Sequence, residues 1–132
     1  MYEMGLSINT NNREELVDIT SLIEKNIDIK NGILHIFIPH ATAGITINEN
    51  ADPNLPEDIN NFLNKLVEKG IWKHDKIDNN ADAHIKASLI GNSVFIPVKD
   101  NQMQLGNWQN IFFCEFDGPR KRKIILNFIP IK

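Results

Sequence analysis

Three histidines, His40, His74 and His84, lie where predicted elements begin or end. His40 follows a predicted strand, His74 lies in the polar loop WKHDKIDNN, and His84 is on the first turn of a predicted helix. Three imidazoles with one open coordination position form a catalytic type of site for a divalent metal, most often zinc. Their spacings of 34 and 10 residues match no short metal-binding motif. Loop and cap histidines bonded to the backbone are therefore the alternative, and His35, inside an apolar strand, is predicted to be structural.

Charged residues add two further candidates for the site: the carboxylate of Glu49 and the pair of arginines Arg120 and Arg122. Glu49 leaves a predicted strand and has no capping role, so it is a candidate base or a carboxylate that orients a metal-bound imidazole. Asp75 and Asp78 are better explained as turn and cap residues. Arg120 and Arg122 in DGPRKRK are two residues apart, so a strand would present both on one face. Paired guanidinium groups bind phosphate or carboxylate, although a solvated basic strand edge is an equal alternative.

Composition and charge exclude several classes of protein. Lys and Arg total 14 and Asp and Glu total 17, and a net charge of −3 argues against nucleic-acid binding. The sequence has no apolar run of membrane-spanning length, and MYEMGLSINT lacks the features of a signal peptide. Cys114 is the single cysteine, so it forms no internal disulfide. We expect one cytoplasmic domain over residues 1–132, with no membrane or nucleic-acid partner.

Six or seven strands are predicted from short runs rich in β-branched and aromatic residues. They are MYEMGLSINT, LVDIT, ILHIFIP, AGITINE, SVFIPV, QLGNWQNIFFCEF and RKIILNFIPI. The last two runs are joined by DGPRK, which predicts a hairpin. Mixed or antiparallel sheets of this kind, together with helices, predict the α+β class.

Two or three helices are predicted. The clearest is ADPNLPEDINNFLNKLVEKG, in which Pro56 suits the first turn and Gly70 ends the helix. Its apolar stripe at helical spacing consists of Ile59, Phe62, Leu63, Leu66 and Val67. ADAHIKASLIG, capped by an Asx residue, and TSLIEKNIDIKNG, with Thr20 as N-cap, are the others.

Four blocks of the sequence occur together and in order: PHATAGITINENADP, DNNADAHIKASLIG, IPV and LGNWQNIFFCEFDGPRKRK. In this combination the chain resembles the YjbQ-like family of small proteins from about Ile33 onward. Two departures are visible. The family more often has His-Thr-Thr-Ala where this chain has HATA, which removes a hydroxyl beside the site, and a glycine where this chain has the turn KDNQ.

The resemblance implies two packed, mostly antiparallel sheets, a homotrimer, and a metal ion, commonly zinc, bound by His40, His74 and His84. It also implies a thiamine phosphate synthase side activity, which joins a pyrimidine diphosphate to a thiazole phosphate. Asn80 and Lys86 of the second block are then expected to bind substrate beside the two arginines, with Asn80 and Asp82 also capping the helix that holds His84.

Two hypotheses follow. In the first, the chain is a metal-dependent enzyme in which Glu49 and Arg120 are catalytic and Arg120 and Arg122 hold an anionic group. In the second, it is a non-catalytic trimeric module that binds a phosphorylated metabolite or another anion in the same pocket.

Overall fold

The structure is a computed structural model and describes residues 1–131. These residues form eight strands, three α-helices and a 3₁₀ turn at Lys73–Lys76. The strands are β1 Tyr2–Asn9, β2 Glu15–Asp18, β3 Gly32–Phe37, β4 Ala43–Asn48, β5 Ser93–Lys99, β6 Gln102–Met103, β7 Asn110–Glu115 and β8 Lys121–Pro130. The helices are α1 Thr20–Glu24, α2 Asn54–Leu66 and α3 Ala81–Ile90.

The strands form two antiparallel sheets, which confirms the predicted α+β class. One sheet has five strands in the order β1-β8-β3-β5-β6, and the other has three in the order β2-β7-β4. A first apolar core lies between the sheets and includes Leu34, Ile36, Phe113 and Leu126. A second core joins the other face of the small sheet to α2 and α3.

The predicted hairpin between the last two long strands is wrong. β7 lies between β2 and β4, whereas β8 lies between β1 and β3 in the other sheet. Each strand already has two partners, and the segment at 116–120 therefore crosses from one sheet to the other. The two strands face each other across the first core through alternate side chains, with Ile111 and Phe113 on one side and Ile124 and Leu126 on the other.

Helix α2 buries less of its apolar stripe than the sequence predicts. Leu63 is 5% exposed, but Phe62 and Leu66 remain 61% and 57% exposed. The helix ends at Leu66, before Gly70, and Val67 adopts an extended backbone. None of the helices within residues 1–131 has the length and apolar character that crossing a membrane requires.

Helix α1 ends at Glu24, well before the predicted end at Gly32, and packs against the first core through Ile23 and the partly buried Leu22. Thr20 is its first helical residue rather than the predicted N-cap. Asp18 performs that task, because its Oδ1 accepts hydrogen bonds from the Thr20 backbone at 2.9 Å and from the Thr20 hydroxyl at 2.6 Å.

Candidate functional site

Two chain segments that pass between the sheets come together at one end of the molecule. The segment at 38–42 joins β3 to β4, and the segment at 116–120 joins β7 to β8. Ala43 pairs with Glu115, so the start of β4 lies beside the end of β7. Phe37 pairs with Ile125, so the end of β3 lies near the start of β8. Strand pairing therefore brings His40 and Arg120 to the same end of the molecule.

His40 is held by the backbone of β8. Its Nε2 accepts a hydrogen bond from the backbone N–H of Lys123 at 2.8 Å. Burial lowers the pKa of His40 below its ordinary value, and the nearby charge of Arg122 lowers this pKa further against the opposing effect of Glu115. The ring is therefore kept in its neutral form near pH 7.

His74 and His84 are in direct contact. Their ring centroids are 4.9 Å apart and their planes meet at 88°, so the edge of one ring faces the other. The 3₁₀ turn holds His74, and the first turn of α3 holds His84. Nε2 of His74 is buried without a hydrogen-bond partner among residues 1–131, although Oδ2 of Asp78 lies 3.4 Å away. A buried polar atom without a partner in a native structure requires an explanation.

The three histidines of the expected metal site are placed unequally. His84 contacts His74 and also lines a cavity with His40, but the structure brings no three imidazoles to one point. Within the described chain, no group of three or more His, Cys, Asp or Glu side chains is arranged to hold a metal ion. His35 lies on the outer face of the large sheet, where its Nδ1 is 3.0 Å from the side-chain amide of Asn127.

His84 lies between two cavities. A cavity of about 240 Å³ is lined by His40, Ser88, Asn92 and the small side chains Ala41, Ala43 and Ala87. A more polar cavity of about 510 Å³ is lined by Thr42, Asp78, Asn80, Asp117 and Arg120. A ligand in either cavity therefore meets the same imidazole.

Asp117 organises the polar cavity. Its Oδ2 accepts a hydrogen bond from the Asn80 amide at 2.8 Å and pairs with Nη2 of Arg120 at 3.1 Å. Arg120 also donates from Nε to the Asp117 carbonyl at 2.8 Å, and its side chain is 52% exposed. Oδ1 of Asn80 is buried and has no partner within residues 1–131. Asn80 occupies the N-cap position of α3 but makes no capping bond.

Asp75 provides the cap that was expected from Asn80 and Asp82. Its carboxylate accepts hydrogen bonds from the backbone N–H groups of Ala81 and Trp72, each at 3.0 Å. This cap fixes the start of α3, and with it His84, against the turn that carries His74.

Arg122 lies apart from Arg120 and does not face the cavity. Arg120 precedes β8, whereas Arg122 is inside it, 3% exposed and paired with the fully buried Glu115. Nη2 of Arg122 also donates to the Thr42 hydroxyl at 2.9 Å. The strand period explains this placement, because Arg122 shares its face with the core residues Ile124, Leu126 and Phe128. In β7, Glu115 lies on the same face as Ile111 and Phe113, which pack in the core between the sheets. Counting alternate residues along β7 therefore identifies Glu115 as the residue that can meet Arg122.

Lys86 lies on the opposite side of α3, away from both cavities. It is 1% exposed, and its Nζ lies 2.5 Å from Oε2 of Glu14 and 3.7 Å from Oδ2 of Asp82. Asp82 in turn accepts two hydrogen bonds from Arg13, both at 3.1 Å. Lys86 and Asp82 thus attach α3 to the chain before β2, and neither residue lines the two cavities beside His84.

Glu49 lies at the far end of the small sheet. It follows Asn48, which pairs with Asn110, whereas the site lies beside Ala43 at the other end of β4. Five residues of extended strand separate the two ends by about 17 Å. Glu49 therefore does not reach the cavities of its own chain.

The sequence has many relatives. A family model described as UPF0047 protein YjbQ-like matches residues 4–131. A UPF0047 protein of Methanocaldococcus jannaschii is 54% identical over 125 residues, which cover 92% of this chain and 90% of that protein. The UPF0047 protein YugU of Bacillus subtilis is 43% identical over 123 residues, which cover 89% and 91%.

Solved structures agree with these relatives. A hypothetical protein from Aeropyrum pernix K1 is 38% identical with a TM-score of 0.93, covering 99% of this chain and 100% of the other. A YbjQ-like protein of unknown function from Sulfolobus solfataricus P2 is 39% identical with a TM-score of 0.93, covering 98% and 97%. The resemblance predicted from the four sequence blocks is thus confirmed, and the chain belongs to the YjbQ-like UPF0047 family.

Proposed function

We propose that this protein binds a divalent transition metal ion, zinc being the best candidate, at His74 and His84 together with Asp78. The observation that carries the proposal is the unpartnered Nε2 of His74, which lies 3.4 Å from Oδ2 of Asp78. Two ligands on one tetrahedral zinc ion, each bound at about 2.0–2.1 Å, are about 3.3 Å apart. The separation of the two atoms suits a shared cation, and nitrogen and carboxylate oxygen are donors that zinc accepts.

The polar cavity beside His84 supports an enzymatic role. Arg120 would bind an anionic group of a small phosphorylated substrate there, and Oδ1 of Asn80 would accept a hydrogen bond from an N–H or O–H group of the same substrate. A bound divalent cation supplies positive charge that stabilises a departing phosphate or diphosphate. We extend the proposal to a thiamine phosphate synthase type of transfer, in which a pyrimidine diphosphate joins a thiazole phosphate. The support for this extension is the family membership and the arginine in the cavity, whereas Glu49 lies away from the cavities of its own chain.

A cytoplasmic homotrimer is part of the same proposal. The lone, buried thiol of Cys114 suits a reducing compartment. The outer face of the five-stranded sheet has no covering layer within the described chain, and Phe95 on it is 65% exposed, so further copies would bury apolar surface there.

The second candidate function is a non-catalytic trimeric module that binds an anion. One feature of the cavity favours it: Arg120 exposes its guanidinium group, which can donate hydrogen bonds to an anion. In this case the protein would bind inorganic phosphate or a phosphorylated metabolite at Arg120 without turnover.

Metal analysis and turnover assays separate the two functions. The metal content of the untreated protein is measured first, and the metal-free protein is then titrated with zinc. We expect about one zinc ion per chain, and an affinity at least about 10-fold lower in His74→Ala and Asp78→Asn. Asp100→Asn is the matched control, since it removes the same charge from an exposed turn. A wild-type protein that takes up no zinc would disprove the metal site.

Turnover of a pyrimidine diphosphate with a thiazole phosphate is then followed as release of diphosphate. Several turnovers by the wild type that are lost in Arg120→Met favour the enzyme. Phosphate binding by the wild type, with no turnover of these or other phosphorylated metabolites, favours the anion-binding module.

A further inference from the structure

His40 replaces a missing strand partner near the start of β8, inside the five-stranded sheet. Strand β3 pairs with β8 only as far as Phe37, which lies opposite Ile125. The chain then leaves the sheet, and the next stretch of β8 toward its start has no β3 residue opposite it. The ring of His40 occupies this place and accepts the backbone N–H of Lys123 at 2.8 Å. The imidazole is therefore positioned by the sheet itself.

This hydrogen bond fixes which ring nitrogen carries the proton. A nitrogen that accepts an N–H bond must present its lone pair, so Nε2 is unprotonated and a neutral ring carries its proton on Nδ1. A metal ion also needs a free lone pair. Nε2 could bind a cation only after its hydrogen bond from the Lys123 backbone N–H was broken. Nδ1 could bind a cation only if its proton moved to Nε2, and a protonated Nε2 could no longer accept that hydrogen bond. His40 is thus unsuited to the metal-ligand role in this arrangement.

The remaining N–H group of His40 is available to a ligand. Nδ1 donates no hydrogen bond to residues 1–131, and the ring lines the cavity of about 240 Å³ that it shares with His84. The rest of that wall consists of three alanine side chains and the polar side chains of Ser88 and Asn92. The positive charges of Arg122 and Arg120 act on His40, and the negative charge of Glu115 opposes them.

We propose that His40 does not bind the cation but donates its Nδ1–H to an oxygen atom of the substrate, either a phosphate or a carboxylate oxygen. This proposal rests on the metal-binding function proposed above, and assigns His40 to substrate and His74 and His84 to the metal. Because both cavities share His84, the bound oxygen would lie next to the metal site. His40 would act as an uncharged hydrogen-bond donor, so it would favour a substrate atom that accepts a hydrogen bond without adding a positive charge to the cavity.

Imidazole nitrogen NMR tests the assignment directly. Two-bond proton–nitrogen spectra of the ¹⁵N-labelled, metal-free protein identify which nitrogen of each histidine is protonated, and His40→Gln assigns the His40 signals. We expect His40 to carry its proton on Nδ1. Addition of one equivalent of zinc should move the nitrogens of His74 and His84 and leave the protonation pattern of His40 unchanged. A His40 nitrogen that takes a metal-bound shift would overturn the proposal.

Inorganic phosphate and acetate are the probes for the substrate oxygen. Each is titrated into the zinc-loaded protein, and the His40 Nδ1–H signal is followed. A shift with phosphate alone assigns a phosphate oxygen, and one with acetate alone a carboxylate oxygen. No shift with either overturns the donor role. If zinc moves none of the histidine signals, the proposed metal site fails, while the Nδ1–H of His40 and its response to the probes still decide the donor role.

Zinc affinity provides a second, independent measurement. We expect His40→Gln to bind zinc within about threefold of the wild type, whereas His84→Gln loses at least about 10-fold. An equal loss of zinc affinity in both variants would show that His40 is a metal ligand and would contradict the proposal. His40→Asn serves as a second variant if His40→Gln does not fold, and the NMR measurement on the wild type requires no variant except for assignment.

Discussion

Glu115 and Arg122 form an ion pair between the two sheets, with side chains 0% and 3% exposed. Oε2 of Glu115 accepts Nε of Arg122 at 2.8 Å and the hydroxyl of Thr10 at 2.8 Å. The other oxygen, Oε1, accepts the backbone N–H of Asp117 at 3.0 Å. The pair therefore connects the end of β7, the start of β8 and the segment that carries the polar cavity.

Removal of one member of this pair should be strongly destabilising. Arg122→Met leaves the carboxylate of Glu115 buried without its cation, and we expect a loss of about 3–5 kcal/mol in the free energy of unfolding. The exposed Arg120 provides the matched control, and Arg120→Met should cost no more than about 1 kcal/mol. Chemical denaturation measures both. The combined Glu115→Leu and Arg122→Met variant should lose less than the sum of the single variants, and a fully additive loss would contradict a direct pair.

Stability should fall in acid because three carboxyl groups, those of Asp18, Asp82 and Glu115, have lowered pKa values. Burial alone would raise the pKa of Asp82, but the hydrogen bonds and charge of Arg13 outweigh it and lower this pKa below 3.8. Glu115 behaves in the same way, with Arg122 lowering its pKa below 4.5. The unfolded chain then binds more protons than the folded chain, so stability is complete above these ordinary values and decreases as pH falls through the folded values.

The acid dependence is measured as the free energy of unfolding against pH, in wild type and Asp82→Asn. The variant should be less stable at pH 7 but should show a shallower decrease below about pH 4, since one of the linked groups no longer titrates. Parallel curves for the two proteins would show that Asp82 has the same pKa in both states.

A methyl group at Gly44 should loosen the contact between β4 and α3. A Cβ atom there would lie 2.6 Å from the carbonyl oxygen of Gly91 and 3.2 Å from Cγ2 of Ile90. Backbone must move to relieve the first contact, so Gly44→Ala should destabilise by about 1–3 kcal/mol. Gly5→Ala is the control on β1, where a Cβ meets no atom of the described chain within 4 Å. That substitution should be neutral or stabilising by about 0.5 kcal/mol, and equal losses at both sites would contradict the steric explanation.

The thiol of Cys114 should be unreactive in the native protein. It lies in the core between the small sheet and the helices, and burial raises its pKa to about 12. Only the thiolate reacts readily with disulfide reagents. We therefore expect no reaction with Ellman's reagent near pH 8, and release of one equivalent per chain in denaturant. Rapid native-state reaction would show that α2 and α3 separate from the sheet.

Local patterns were sufficient for most strands and for α3. β3, β4 and β5 appear where runs rich in β-branched residues predict them, and α3 ends at Ile90, before the predicted Gly91. Two further features differ from the prediction for identifiable reasons. β7 begins at Asn110 and not near Gln104, because the chain from Gly106 to Gln109 forms a turn closed by the backbone bond of Gln109 to Gly106 at 3.0 Å. α2 leaves Phe62 and Leu66 exposed because only one side of it meets the small sheet.

The sequence by itself determined the family, the α+β class and the residue types available for chemistry, since these depend on local order along the chain. Only the tertiary structure decided which of those residues meet. Pairing across two sheets joined Glu115 to Arg122, turned Lys86 toward Glu14, left Glu49 at the far end of β4 and brought His74 against His84. Contacts between residues distant along the chain depend on sheet order and register, which alternating apolar patterns do not specify.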